Sequence, residues 1–338
     1  MRKKMLYFIQ VIFMILFLTG AVYFYQSVSV AILEAGKRCI FILIPSLYIF
    51  SILASFSVKA NILAFLAKPF QKICQKLLHT DAIFVIIILF SQIGGYPVGS
   101  QILHSMYQDN YISKQQEQNL LCVCMGCGFG FLLGTVGGNI KLAFWLWVIL
   151  SIPNIIIGLL MIKNMQIELN SDNYHQKAFT QIFTESVENG ALAMFKITAM
   201  ILAFAGFMGI IKAILPNLNI IINSILEVSC ATEYLQQGGS LASVAGLLSF
   251  GGICVHLQIS AITENCLNLK KFWLYRIFIA GIVYFICKFS ISKIISESIP
   301  VFLSSNTAPV MQSSNLIASC CLLVMSIFLI KKYYFFHK

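Results

Sequence analysis

Charge is scarce in this chain. Asp, Glu, Lys and Arg make up 10% of its 338 residues, where a soluble protein carries roughly 25%. Hydrophobic residues reach 59% and the mean hydropathy is +0.87, which excludes a solvated fold and predicts an all-α polytopic membrane protein. Acids are rarer than bases, 12 against 23, for a net charge of +11. In a soluble protein that excess would point to nucleic acid. In a membrane protein it raises the question of which face carries it, and no nucleic-acid partner is expected. Also missing are a phosphate-binding loop, a nucleophile elbow, a zinc-protease pattern and a dinucleotide fingerprint. No soluble domain is large enough for ATP. Enzymatic chemistry, a cofactor and uptake driven by hydrolysis within this chain are therefore not expected.

A disulfide framework is not indicated either. The 11 cysteines lie mostly inside apolar runs, where a free thiol behaves as a small hydrophobe. Cys122-x-Cys124-x-x-Cys127 has a spacing seen among thiolate ligands. It lacks a second ligand pair and sits among glycines, so packing is the expected role and no metal site is predicted.

What the chain has is apolar segments. Candidate spans cover 5–25, 39–57, 82–103, 119–138, 142–162, 193–214, 218–237, 241–262, 272–292 and 316–334. Arg2, Lys3 and Lys4 precede the first, which is too long for the apolar core of a signal peptide and reads as a retained helix. The spans at 82–103, 119–138, 218–237 and 241–262 are interrupted by Gly, Pro, Ser, Thr, Gln or Asn, and each either crosses or dips in and returns. The expectation is about 8–10 transmembrane segments, some broken or re-entrant.

Ten full crossings would put fifteen Lys and Arg inside, among them Lys59, Lys68, Lys72, Lys76, Lys141, Lys212, Lys270, Lys271 and Arg276. Six would lie outside: Lys37, Arg38, Lys114, Lys163, Lys177 and Lys293. Eight of the 12 acids, Glu117 among them, would also fall outside. The bias predicts a multi-pass protein with both termini cytoplasmic. Residues 60–78 place Ile62, Phe65, Leu66, Phe70, Ile73 and Leu77 at helical spacing, with Lys68, Lys72 and Lys76 on another face. That suits either the inner headgroup layer or a connector docked on the bundle.

The chain also repeats itself. Ala35-Gly36 precedes the span from Phe41 to Phe50 by the distance at which Asn189-Gly190 precedes Phe195 to Phe204. A pair of broken spans follows each. The implied organisation is a first helix at 1–27, a repeat at 28–162, an outer polar loop at 163–192, a second repeat at 193–292, and an outer loop with a last helix at 293–338. Whether the repeats are parallel or inverted is left open by the pattern.

Polar residues at the breaks are the candidate site, because interrupted hydrophobic segments mark binding sites in transporters. In the first half, Gln92-Ile-Gly-Gly-Tyr-Pro-Val-Gly-Ser-Gln101 supplies Gln92, Gly95, Tyr96, Pro97, Gly99 and Ser100. Cys122 to Asn139 adds Gly128, Thr135 and Asn139. Amide N–H groups where helices start can hold an anion without a charged side chain; the same glycines also permit close helix packing. In the second half, Glu227 sits at membrane depth, where an acid is a functional candidate by default. His256 and Gln258 follow the Gly251-Gly252 break; a buried His can relay a proton or be held by one carbonyl. Glu227 and His256 are expected to couple protonation to gating, and the remainder to bind substrate. Lys288 is expected to snorkel to the headgroups, while Lys196 could face an outer vestibule.

At Gly95-Tyr-Pro-Val-Gly99 and Gly134-Thr-Val-Gly137, joined to Gly251-Gly-Ile-Cys-Val-His-Leu-Gln258, the chain resembles a known family. These are the sporulation integral membrane proteins of endospore-forming Firmicutes, of the stage V type implicated in moving dipicolinic acid into the spore. They carry the nucleoside-recognition or Gate domain shared with ferrous-iron transporters. The resemblance covers nearly the whole chain and implies a transporter or facilitator of a small, dipicolinate-like organic anion in the cell or forespore membrane, with a proton or cation coupled to it. It also admits a non-transporting role in spore-envelope assembly and a nucleoside or metal-ion permease. Two departures stand out: Cys124-Met-Gly-Cys-Gly-Phe129 lacks the family's Asn and Gly-Pro turn, and Ala231 replaces a frequent glycine.

Overall fold

The computed structural model describes residues 2–136, 138–165, 178–216, 219–264 and 266–294, all in helices and their connections. The expected last span at 316–334 lies outside the described residues. Helices α1 (Arg2–Tyr23) and α2 (Tyr25–Arg38) meet at Phe24 with a 94° bend. A π turn, Cys39–Leu43, joins α2 to α3 (Ile44–Lys59) with helical backbone at both junctions, so residues 25–59 form one rod. Short helices α4 (Ile62–Ala67) and α5 (Gln71–Leu78) follow, across a 3₁₀ turn at Lys68–Phe70, and turn 77° from α3. Then come α6 (Ala82–Gly94), α7 (Tyr96–Gln108), α8 (Lys114–Val123), α9 (Phe129–Thr135) and α10 (Ile140–Met161). The second half holds α11 (Phe179–Ile214), α12 (Ile220–Leu226), α13 (Cys230–Gln236), α14 (Leu241–Phe250), α15 (Gly252–Ile262) and α16 (Leu269–Ile294). Among the described residues four helices are long and apolar enough to cross a membrane, or up to six if each bent pair is one span. The protein is an all-helical, polytopic membrane protein.

Each of the four interrupted spans is broken inside: at Gly95, at 124–128, at 227–229 and at Gly251. The 82–108 segment folds back on itself. Gly95 has φ +90° and ψ −177°, open only to glycine, and a Cβ on Gly99 of α7 would stand 2.7 Å from the Ser91 Cβ of α6. In a continuous helix those two residues would be roughly 12 Å apart. The connections at either end of this hairpin share one face. The start of α6 is bonded to the end of α10 (Asn164 N to Leu78 O, 3.1 Å). The start of α8 is bonded to the α15–α16 connection (Gln118 Nε2 to Cys266 O, 2.7 Å). Tyr275 Oη meets Asn154 Oδ1 at 3.4 Å, each about two turns from those helix ends, which sets them level.

Residues 220–236 re-enter from the opposite face. Helices α14 and α15 together make a 22-residue span, so Leu241 lies across the membrane from Ile262. The 36-residue α11 also ends on the far face, leaving α12 and α13 to begin and finish there. Of the four interrupted spans, then, two fold back as hairpins and two run on through their breaks.

The lead helices that share the Ala-Gly and Asn-Gly pattern run antiparallel. Glycines along α11 seat against the rod in descending order, Gly209 against Val28, Gly206 against Ile32 and Gly190 against Ile52. Asn189 Nδ2 donates to Ser55 Oγ at 3.1 Å, and Lys59 pairs with Glu185 at 2.7 Å. Helix α11 therefore begins inside the segment read as a loop at 163–192.

The hairpin at 82–108 changes the sides of several charges. Lys114 and Lys163 join Lys59, Lys68, Lys72, Lys76, Lys270 and Lys271 on one face, and Lys141 and Lys212 move to the other. Arg276 and Glu117 belong to neither, being 1% and 0% exposed inside the bundle. Phe65, Leu66, Phe70, Ile73 and Leu77 stay exposed, while Gln71 holds the connector to α6 through Asp81 and Ala82 N.

Two outcomes follow. With the nine described native thiols buried and Cys320 and Cys321 replaced by Ser, Gln115→Cys and Lys270→Cys should react with a membrane-impermeant maleimide from one face of oriented vesicles, and Gln237→Cys from the other. Gly99→Ala drives a methyl into the Cys124 carbonyl and the Ser91 side chain and should cost about 1–3 kcal/mol, read as a lower melting temperature in detergent. Gly134→Ala meets nothing within 4 Å and should leave it unchanged.

Candidate functional site

Each break frees helix-end carbonyls and amides that must find partners inside the bundle. The carbonyls are accounted for first. Helix α14 ends in three that point out of the helix, and each is taken by a side chain. Tyr96 Oη, from the tip of the first hairpin, donates to Leu248 O. Arg276 on α16 donates through one terminal nitrogen to Ser249 O. His256 Nε2 on α15 is 2.8 Å from Phe250 O, which Arg276 Nε also approaches at 3.4 Å. The other terminal nitrogen of Arg276 reaches Met125 O at 2.9 Å, just past the end of α8. One guanidinium thus joins the α8 break in the first half to the α14 break in the second.

The location suits a cation. Two helix C-termini, each bearing roughly half a negative charge, face Arg276 from α8 and α14. Its described hydrogen-bond partners are all carbonyl oxygens. Arg supplies five donors in a flat fork, which Lys cannot reproduce.

Gln92 organises the first half. Its Nε2 donates to Val123 O at 3.0 Å, and its backbone carbonyl accepts Trp147 Nε1 at 2.8 Å. Gly126 packs against the same side chain, where a Cβ would stand 2.5 Å from Oε1. Gly95 and Gly128 face each other, a Cβ on Gly95 meeting Gly128 N at 3.1 Å. In the second half, Gly251 and Gly252 both have positive φ, +91° and +71°, and a Cβ on Gly252 would stand 2.8 Å from Val228 N. The tip of each hairpin therefore rests on the break of the crossing helix that follows it. A Cβ on Gly251 would lie 3.3 Å from the Tyr96 ring, which closes the two halves on each other.

Glu227 is half-buried, and its carboxylate turns onto the start of α13, accepting from Ser229 N at 3.2 Å and from Ser229 Oγ. A negative charge there complements the helix N-terminus. Both Glu227 and Arg38 lie within electrostatic reach of Cys39, the first residue of the π turn. His256 is wedged edge-on between Phe250 and Phe272. A carbonyl can only accept, so Nε2 carries the ring proton and Nδ1 is bare. Buried side-chain atoms without a partner include Gln92 Oε1, Ser249 Oγ and His256 Nδ1, all beside the breaks.

The expected site residues divide. Gln92, Gly95, Tyr96, Gly128, Gly252 and His256 come together at the breaks, and Glu227 borders them. Pro97 opens α7, where its carbonyl accepts Ser100 Oγ at 2.8 Å. Gly99 lies within α7 and serves the close contact with Cys124. Thr135, at the end of α9, is 3.4 Å from Thr232 and links α9 to α13. Asn139 is not at the breaks: it caps α10 at the membrane face, accepting Leu142 N at 3.1 Å. Gln258 donates to Cys254 Sγ at 3.3 Å, a turn beyond the break. Lys196 pairs with Glu264 at 3.5 Å, and Lys288 is exposed, 6.0 Å over the Tyr284 ring. Cys122, Cys124 and Cys127 are free and buried.

The reading from sequence missed Arg276 and Ser249. Arg276 was counted with Lys270 and Lys271 among the cytoplasmic charges, although it lies inside the 272–292 span, more than a turn beyond them and flanked by Leu274, Tyr275, Ile277 and Phe278. That placement inside a span was the available signal.

Replacing Arg276 with Met should leave the Met125 and Ser249 carbonyls unmet, at about 1.5–3 kcal/mol for each charged hydrogen bond lost. Melting in detergent should fall sharply for Arg276→Met and by less for Arg276→Lys. Comparison with protein-family models, with curated proteins and with solved structures finds no match for this chain.

Proposed function

We propose that this protein is a secondary transporter or facilitator of a small organic anion, with dipicolinate as the first cargo to test. The observation that carries the reading is the buried Arg276, whose positive charge is offset by carbonyl dipoles alone among its described contacts. A cation at membrane depth that is met by dipoles and by no carboxylate among its described contacts can attract an anion, because Coulomb attraction is strong where the dielectric is low. Two hairpins from opposite faces, resting on two broken helices, supply the amide N–H groups and unpartnered polar atoms that a carboxylate or a pyridine nitrogen can use.

In this reading the amides around Gly95, Gly128 and Gly252 receive the anion, and Gln92, Ser249 and His256 Nδ1 orient it. Glu227 gates: its carboxylate holds the start of α13, and releasing it frees the tip of the second hairpin. Dipicolinate itself, and a role in endospore formation, rest on the resemblance of the Gly-Tyr-Pro-Val-Gly and Gly-Gly-Ile-Cys-Val-His segments. The Lys-rich face is cytoplasmic by the positive-inside rule, in a cell or forespore membrane.

The test is uptake of labelled dipicolinate into liposomes containing the purified chain. Uptake well above that of protein-free vesicles is expected, with Glu227→Gln reducing the rate about tenfold or more (roughly 1.4 kcal/mol or more on the barrier). Uptake no greater than in empty vesicles would sink the proposal.

A further inference from the structure

Away from the breaks, α7 and α8 bury a second polar cluster. Glu117 has no solvent exposure. One carboxylate oxygen lies 3.1 Å from His104 Nδ1, and the other, Oε2, is buried without a partner. Gln108 Nε2 is 3.1 Å from His104 Nε2. An amide nitrogen can only donate, so His104 Nε2 is bare and the ring proton sits on Nδ1, pointing at Glu117. In this state the pair holds a neutral imidazole and a carboxylate, one net negative charge in a closed space. Burying a carboxylate with an unmet oxygen is costly, and Oε2 is open to a further donor or a proton.

The neighbours do not cancel that charge. Tyr107 lies tilted beside His104 on α7, and the Cys266 thiol from the α15–α16 connection hydrogen-bonds Glu117, a weak and uncharged donor that leaves the carboxylate's charge in place. Lys114, one turn earlier on α8, acts on Cys266, and Lys271 of α16 is turned to Asn119 at 2.5 Å. None makes an ion pair with Glu117.

The cluster is also well placed to act on the breaks. Helix α7 begins at the hairpin tip, and α8 ends at the break that Gln92 and Arg276 hold. The two helices are joined at one end by His104–Glu117 and at the other by Gly99 against the Cys124 carbonyl.

We propose that His104 and Glu117 form the binding site for the coupling proton, an inference that rests on the transport reading above. Uptake forms one O–H bond at Glu117 Oε2, cancels the local negative charge and weakens the pull of α7 on α8; release restores both. The proton comes from, and returns to, the aqueous phase, and no other reactant is involved.

Two measurements on the full chain decide it. In liposomes with dipicolinate, Glu117→Gln should keep exchange of internal for external cargo at equal pH and lose accumulation driven by a pH gradient. Accumulation equal to wild type overturns the proposal. Absence of exchange by the wild-type chain refutes the transport reading instead, and an infrared titration of the purified protein then decides the proton site. A carboxylic-acid band that grows as pH falls should vanish in Glu117→Gln and persist in Glu227→Gln; its survival in Glu117→Gln overturns the assignment. Should Glu117→Gln fail to fold, His104→Gln serves in its place: a shifted midpoint of that band supports the site, and an unmoved one rejects it.

Discussion

The requirement that every helix-end carbonyl find a donor away from water shapes this protein more than any other constraint. A membrane helix can be broken only where protein or a cavity replaces its missing hydrogen bonds. Arg276 meets that requirement for two breaks at once, through Met125 on one side and Ser249 and Phe250 on the other. Tyr96, Gln92 and His256 complete it with single bonds to Leu248, Val123 and Phe250. Because these donors come from different helices, the breaks hold the halves together while remaining open backbone.

Glycine makes the arrangement sterically possible. The left-handed backbone at Gly95 and at Gly251-Gly252 turns the chain without a side-chain penalty, and the missing Cβ atoms at Gly99, Gly126, Gly128 and Gly252 let hairpin tip and broken helix touch backbone to backbone. The same economy of space leaves Gln92 Oε1, Ser249 Oγ and His256 Nδ1 without partners. Polar atoms left this way cost stability, which makes them natural places for a ligand to bind.

Much of this was legible in the residues. The four interrupted spans are the four broken segments, because Gly, Pro and buried polar residues change backbone geometry locally. Gln92, Gly95, Tyr96, Gly128, Gly252 and His256 lie at or beside those breaks for the same reason. Asn139 stands apart as the cap of α10, because capping and ligand binding draw on the same residue type and only the level of α10 distinguishes them. Arg276 was counted on the cytoplasmic side and Glu117 on the outer side, since hydropathy alone cannot tell a charge near a helix end from one inside the bundle. The Ser113 capping box starts α8 early enough to carry Glu117 inward, a local signal that was present.

Composition and interruption by themselves determined the class, the membrane environment, the places where helices break and the lead helices of the two halves. Those depend on the transfer of side chains and backbone between water and lipid, which is a property of short stretches. Whether a broken span returns or crosses was decided only by tertiary structure. It depends on which distant residue meets the freed carbonyls and on whether Gly99 can lie against Ser91 and Cys124. Tertiary structure also decided that the lead helices run antiparallel and that a single arginine, far from every break in sequence, stands where two of them meet.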